Sequence, residues 1–253
     1  MPDKPKITPK VAIFATCIND VMFPETVIAT VQLLERLGCT VEFPVEQSCC
    51  GQMFTNTGYF REGLGCVRSY VEAFSGYEYI VGPSGSCVTA VRDQHPMLAA
   101  QSGDAGLAAA VDDVVRHSYE LTEFLCDVLE VEDVGAVFAH KVTYHLTCHS
   151  LRFARLGERP LRLMSKVRGL ELIELEGFDQ CCGFGGTFCV KNPDVSADMA
   201  SCKAGYAVDT GAEYLVSLDN ACLLNIGGVL HRAGSSLKPI HLAEILACGE
   251  GGL

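Results

Sequence analysis

The 253-residue chain has no tryptophan, no long apolar run and comparatively little positive charge. Its first apolar stretch, Val11 to Ile18, is eight residues long and stops at Asn19 and Asp20. That is far short of the ~20 residues of a membrane helix. Nothing later in the chain reaches the length of about 18 apolar residues, so no membrane span is expected. The start, MPDKPKITPK, is broken by three prolines and leads into no secretory apolar core. Lysine and arginine number 19 against 31 acidic residues, a net charge of −12. That balance argues against nucleic acid or anionic lipid as the main partner. No Ser–His–Asp signature and no H-E-x-x-H motif is present, and GFGG at Gly183 to Gly186 matches neither G-x-G-x-x-G nor a phosphate-loop lysine motif. A soluble cytoplasmic chain is the expectation.

What is abundant is cysteine, 14 residues in all. In a cytosolic chain structural disulfides are rare, which leaves metal ligands, redox thiols and core thiols. The surrounding sequence is one unit written twice. VAIFATC reads as a strand ending on Cys17, followed by an amphipathic helix from Pro24 to Leu37, Gly38 as its stop and a short strand from Thr40 to Phe43. The loop SCCGQMFTNTG, a helix from Glu62 to Phe74, the strand YEYIVG and the loop PSGSC ending on Cys87 complete it. The second half repeats the order. KVTYHLTC ends on Cys148, helical sequence runs from about Leu151 to Val167, and the strand LELIEL spans Leu170 to Leu175. The loop DQCCGFGGTF, a helix from Pro193 to Asp209, the strand AEYLVSLD and Cys222 follow. The Ala-rich stretch from Ala99 to Val115 and the segment ELTEFLCDVLE read as helices joining the halves. The expected fold is α/β, two tandem pseudo-symmetric βαβ-type domains with mostly parallel sheets, over residues 8–135 and 136–248. Ligands of such sheets collect at the carboxyl ends of the strands.

Eight cysteines fall into two matched sets. Cys17 is followed after 31 residues by Cys49-Cys50-Gly51 and after 36 more by Cys87. Cys148 is followed after 32 residues by Cys181-Cys182-Gly183 and after 39 more by Cys222. Four thiolates from three loops suit an iron–sulfur cluster, whose soft irons take cysteinate. An adjacent pair can serve one site only across a sharp turn, which Gly51 and Gly183 could supply through positive φ. Structural zinc is a rival, since four cysteines are a common zinc set, although zinc knuckles space their cysteines C-x₂₋₄-C and none occurs here. Vicinal disulfides in the two pairs, acting in thiol exchange, are another. Cys39, Cys66, Cys126, Cys202 and Cys248 read as core thiols, and Cys189 is undecided. His149, next to Cys148, is read either as an extra ligand or proton donor or as a strand-end histidine bonded to backbone. Asp219, Asn220 and Asn225 flank Cys222, as supports of the site or as turn and cap residues.

The stretches SCCGQ, CCGFGGTF, PSGSC and CLLNIGG strongly resemble the cysteine-rich CCG-domain family. That family includes the cysteine-rich component of heterodisulfide reductase and the iron–sulfur subunits of glycerol-3-phosphate and glycolate oxidising systems. Size and motif wording are most similar to its lactate-utilisation branch, stand-alone chains of two CCG domains, and the resemblance covers about Val11 to Leu246. It implies a cytosolic iron–sulfur, electron-transfer subunit, not active alone, that works with two partner subunits to oxidise L-lactate to pyruvate. It also implies one cluster, a 4Fe–4S type, in each domain. Cys17, Cys49, Cys50 and Cys87 would hold one and Cys148, Cys181, Cys182 and Cys222 the other. The fullest family motif ends in C-x-x-C, five cysteines holding a non-cubane cluster. Here Ala90 and Asn225 stand in place of the final cysteine, which leaves cubane and modified clusters both open. The alternatives are a thiol or heterodisulfide reductase-type subunit and a non-enzymatic zinc scaffold or redox sensor.

Overall fold

The computed structural model describes residue 3 and residues 5–249. They form two units, one of residues 5–130 and one that runs from Val131 and takes in Asp3. In the first, β1 (Lys10–Ile13), β2 (Thr40–Glu42), β3 (Ile80–Gly82) and β4 (Ser118–Glu120) pair in parallel in the order β2-β1-β3-β4. In the second, β5 (Lys141–Tyr144), β6 (Glu171–Ile173), β7 (Tyr214–Ser217) and β8 (Lys238–His241) repeat it as β6-β5-β7-β8, again all parallel. The register repeats too: Lys10 pairs with Thr40 as Lys141 pairs with Glu171. Among the described residues no helix is long and apolar enough to cross a membrane.

A parallel sheet covered on both faces needs strands that are apolar throughout. The strand that opens the first half meets this, with Val11, Ala12 and Ile13 fully buried. The first long helix, Pro24–Arg36, starts on a proline, which costs nothing at a position whose N–H has no partner in the helix. It buries Val27, Thr30, Leu33 and Leu34 on one face and ends where Gly38 turns to φ 90°. In the first unit the interior is aromatic: the Phe14 ring meets Tyr70 edge-on at 5.0 Å and Phe74 at 5.7 Å. In the second it is aliphatic, built from Leu175, Leu215, Leu223, Ile226 and Leu230. Cys50 and Cys182 are members of these two cores.

The strand order places the sites. From β1 the chain moves to β2 on one side, then crosses back to β3 on the other. The loops leaving β1 and β3 therefore part at their carboxyl ends, which opens a crevice there. Cys17 follows β1 and Cys87 follows β3. Cys148 and Cys222 stand in the same relation to β5 and β7.

Three stretches differ from the sequence expectation. Helical sequence from Leu151 to Val167 is two helices, Cys148–Arg152 and Arg159–Ser165. Arg155 and Gly157 between them take φ of 51° and 60°, which no helix accommodates, and Pro160 lies in the first turn of the second helix. The Ala-rich stretch is likewise divided at Gly103, whose φ is 72°. Asp104 caps the following helix Ala105–Arg116 by accepting from Leu107 N at 3.0 Å. Finally, each sheet has a fourth strand that periodicity misses. Ser-Tyr-Glu of β4 is three residues with polar ends, yet Ser118 and Glu120 are buried.

Candidate metal centre

In the first unit each cysteine is carried by the start of a helix or by a turn. Cys17 opens the helix Cys17–Met22, behind Thr16 at φ 68° and ψ 148°. That is a region a β-branched residue enters only under strain. Cys49 and Cys50 lie in the loop after β2, and Gly51 behind them has φ 79°. The Gly51 N–H turns back and donates to Cys49 Sγ at 3.4 Å. Cys87 lies in the helix Gly85–Thr89, its N–H donating to Ser84 Oγ at 3.3 Å. The four thiols meet: Cys17 Sγ is 3.4 Å from Cys49 Sγ, and the Cys50 thiol bonds with those of Cys49 and Cys87. Hydrogen bonds from the Cys17 and Cys50 thiols pull Cys49 down to about 3. The same bonds, with burial, push Cys17 and Cys50 up. Cys50 is buried, Cys49 and Cys87 half-buried and Cys17 exposed. A cleft of about 160 Å³ lined by Ala15, Thr16, Cys17, Gln47 and Cys49 opens beside them.

The second unit repeats the arrangement. Cys148 opens the helix Cys148–Arg152, where Thr147 provides an unstrained cap, its Oγ1 accepting from Ser150 N at 3.1 Å. Gly183 has φ 82° and donates its N–H to Cys181 Sγ at 3.4 Å. Cys222 lies in the helix Asn220–Arg232, and its Sγ is 3.0 Å from Cys182 Sγ. Hydrogen bonds from the Cys148 and Cys182 thiols hold Cys181 down to about 2. The bond with Cys181 pushes Cys148 and Cys182 up.

The two turns are held by different residues. The Cys50 carbonyl lies 2.8 Å from His95 Nε2. The Cys182 carbonyl accepts from Asn225 Nδ2 at 2.9 Å, and Asn225 also reaches Ser196 Oγ at 3.2 Å. Asn225 stands where the five-cysteine motif has its last cysteine, so that departure becomes a brace for the pair. In the first unit the corresponding Ala90 is fully buried, and His95 takes over the brace. Space is tight around both glycines. A Cβ on Gly51 would meet Cys66 Cβ at 3.0 Å, and one on Gly183 would meet Ser196 O at 2.7 Å.

Beyond the cysteines the halves diverge. At the end of β1, Phe14 packs on Tyr70. Three residues before Cys148, at the end of β5, the same place is His145, and Lys203 lies on the long helix Pro193–Asp209. His145 is fully buried, with neither ring nitrogen hydrogen-bonded, and burial holds it down to about 3. Among the described residues, His145, Cys182 and Cys222 form a group whose ligand atoms all lie within 4.8 Å of one another. Lys203 is also buried, its ammonium donating to the Gly177 carbonyl. Burial is the main pull downward on it, and Cys182, Asp179, Cys222 and Cys181 act the other way.

All eight cysteines singled out by spacing are thus gathered, four in each unit. Cys189 is apart, its thiol donating to Gly186 O at 3.1 Å. Of the five expected core thiols, Cys39 and Cys248 are buried and Cys66 and Cys126 half-buried. Cys202 is exposed, because it falls on the outer side of its helix. His149 has Nδ1 3.5 Å from Cys148 Sγ and stacks on Phe153 at 5.3 Å. His95, His145, Ser196 and Lys203 carry no fixed-spacing motif. The one sequence signal was His145 in YHLTC, three residues before Cys148.

A family model for the cysteine-rich domain, CCG, matches residues 11–92 and 142–227. The chain is 43% identical over 245 residues to lactate utilization protein A of Oceanobacillus iheyensis, covering 96% of this chain and 99% of that one. It is 46% identical over 240 residues to the protein of the same name from an Exiguobacterium species, covering 94% and 97%. For the Bacillus subtilis protein of that name the figures are 44% over 237 residues, 94% and 98%. Among solved structures, a hypothetical protein from Helicobacter pylori is similar in fold, with a TM-score of 0.63 at 11% identity. That match covers 96% of this chain and 50% of the other.

Proposed function

The chain belongs to the cysteine-rich CCG-domain family, and we propose that it is the iron–sulfur electron-transfer subunit of a cytoplasmic lactate-oxidising complex, not active alone. Two CCG domains, over 8–135 and 136–248, each hold one cluster of 4Fe–4S type, and two partner subunits complete the complex that turns L-lactate into pyruvate. The observation that carries this reading is the doubled four-thiol set at the crevice of each parallel sheet. The relatives' shared name supplies the substrate.

The residues fit such a group. Each donor set is four soft sulfurs, the class that iron–sulfur clusters require. The turn glycines leave room where a Cβ would collide, and they aim a backbone N–H at a cysteine sulfur. Cys17, Cys49, Cys50 and Cys87 would hold the first group; Cys148, Cys181, Cys182 and Cys222 the second. When bound, an iron–sulfur cluster supplies reversible one-electron storage. The chain does the rest. Buried Cys50, Cys182 and Cys222 keep water from one side, while the Gly51 and Gly183 amides lower negative charge at sulfur. His95 and Asn225 fix the turns.

A disulfide reductase-type reaction is the second reading, favoured by the cleft that reaches exposed Cys17. Deleting the gene in its host separates the two. Under the lactate reading, growth on L-lactate should stop while growth on pyruvate continues. Undiminished growth on L-lactate would overturn it.

A further inference from the structure

We infer that His145 is a nitrogen ligand of the second metal site, which makes the two sites chemically unequal. This rests on the iron–sulfur reading of both sites. An imidazole buried with both nitrogens unpartnered forfeits the hydrogen bonds it makes in water, a cost that native proteins avoid unless the group has another task. His145 is such a group, fully buried with Nδ1 and Nε2 both unbonded. Its backbone is pinned at the end of the central strand: its N–H donates to Val216 O at 2.8 Å, and its carbonyl accepts from Ser217 Oγ at 3.2 Å. The ring is therefore presented from a rigid element. A ring nitrogen and the sulfurs of Cys182 and Cys222 lie within 4.8 Å of one another, and no other polar contact accounts for the ring.

The first unit supplies the contrast. Phe14 occupies the same place, three residues before the first cysteine, and packs on Tyr70 at 5.0 Å. The fold thus needs only a large ring there, and a phenyl ring serves. A histidine without hydrogen bonds is the costlier way to fill that space, so its nitrogen is the reason for its presence. The histidine of the first site, His95, has its Nε2 engaged by the Cys50 carbonyl. Its Nδ1 is also buried and unbonded, but among the described residues it is His145, not His95, whose ring nitrogen is grouped with cysteine sulfurs.

The test uses the full chain in a Cys50→Ser background, which removes the first site, prepared anaerobically with its iron and sulfide measured. Pulsed EPR on protein carrying ¹⁵N-histidine should show the nitrogen coupling of a bound imidazole. His145→Phe should abolish it, and His149→Phe should retain it. His145→Ala should lose it too and regain a ¹⁴N coupling when imidazole is added. Full iron and sulfide without nitrogen coupling, or coupling that survives His145→Phe, overturns the assignment. If iron and sulfide are absent, the iron–sulfur reading has failed. The ligand assignment is then read from Co²⁺ binding to the same apo chain, where His145→Phe should weaken affinity at least about tenfold. Unchanged Co²⁺ affinity overturns it.

Discussion

Asn225 donates its side-chain amide to the carbonyl of Cys182 at 2.9 Å, as the His95 ring engages the carbonyl of Cys50 at 2.8 Å. One structural need, a braced turn under an adjacent cysteine pair, is met in the two halves by unrelated residues. Removing the brace leaves a backbone acceptor in the core without its partner.

Asn225→Ala is expected to destabilise the chain by about 1–3 kcal/mol, the cost of a buried group left unpaired. Asn225→Asp should do worse, because a carboxylate oxygen would then face the carbonyl. Urea denaturation under anaerobic conditions reads both. A neutral Asn225→Asp would show that the hydrogen bond does not support the turn.

Gly183 and Gly51 differ in what surrounds them. Both need positive φ, which costs an L-residue about 1–2 kcal/mol. At Gly183 a Cβ would also strike the Ser196 carbonyl at 2.7 Å and Met199 Cβ at 2.9 Å, whereas at Gly51 its nearest neighbour is Cys66 Cβ at 3.0 Å. Gly183→Ala should therefore lose about 3 kcal/mol once overpacking is added, and Gly51→Ala less. Denaturation midpoints in the reverse order would contradict this.

Glu120 gives the stability a pH dependence. Its Oε2 caps a helix, accepting from Thr122 N at 2.7 Å, and its Oε1 is buried without a partner. Burial raises its carboxyl to about 7 from 4.5. Between those values the folded chain keeps a proton that the unfolded chain has lost, so stability falls as pH rises through that window. The total is about 3 kcal/mol, with no further change from this group above pH 7. Glu120→Gln keeps the acceptor and should remove that slope. Parallel stability–pH curves for parent and variant would refute the assignment.

Much of this was legible before the fold was known, and the reasons are local. Cysteine spacing is fixed by three loops at strand ends, so two matched sets revealed both the duplication and the sites. The strands β1 and β5 were legible because apolar runs buried on both faces leave a clear trace. The residues Ser118 to Glu120 left none, since a three-residue edge strand takes its identity from its neighbour. His145 and Lys203 were hidden for a related reason. Their burial is set by the sheet and helix around them, and a sequence does not distinguish a histidine on a strand end from one facing a cysteine site. The broken helix after Cys148 followed from positive φ at Arg155, a residue that does not advertise it.

The central claim is that each half holds its own iron–sulfur cluster on its own four cysteines. Iron and acid-labile sulfide, quantified with EPR on anaerobically purified chain, test it most directly when parent, Cys50→Ser and Cys182→Ser are compared. Two clusters are predicted in the parent and one in each variant, with the surviving EPR signal different in the two. Stoichiometric zinc without sulfide, or loss of both clusters from a single substitution, would contradict it.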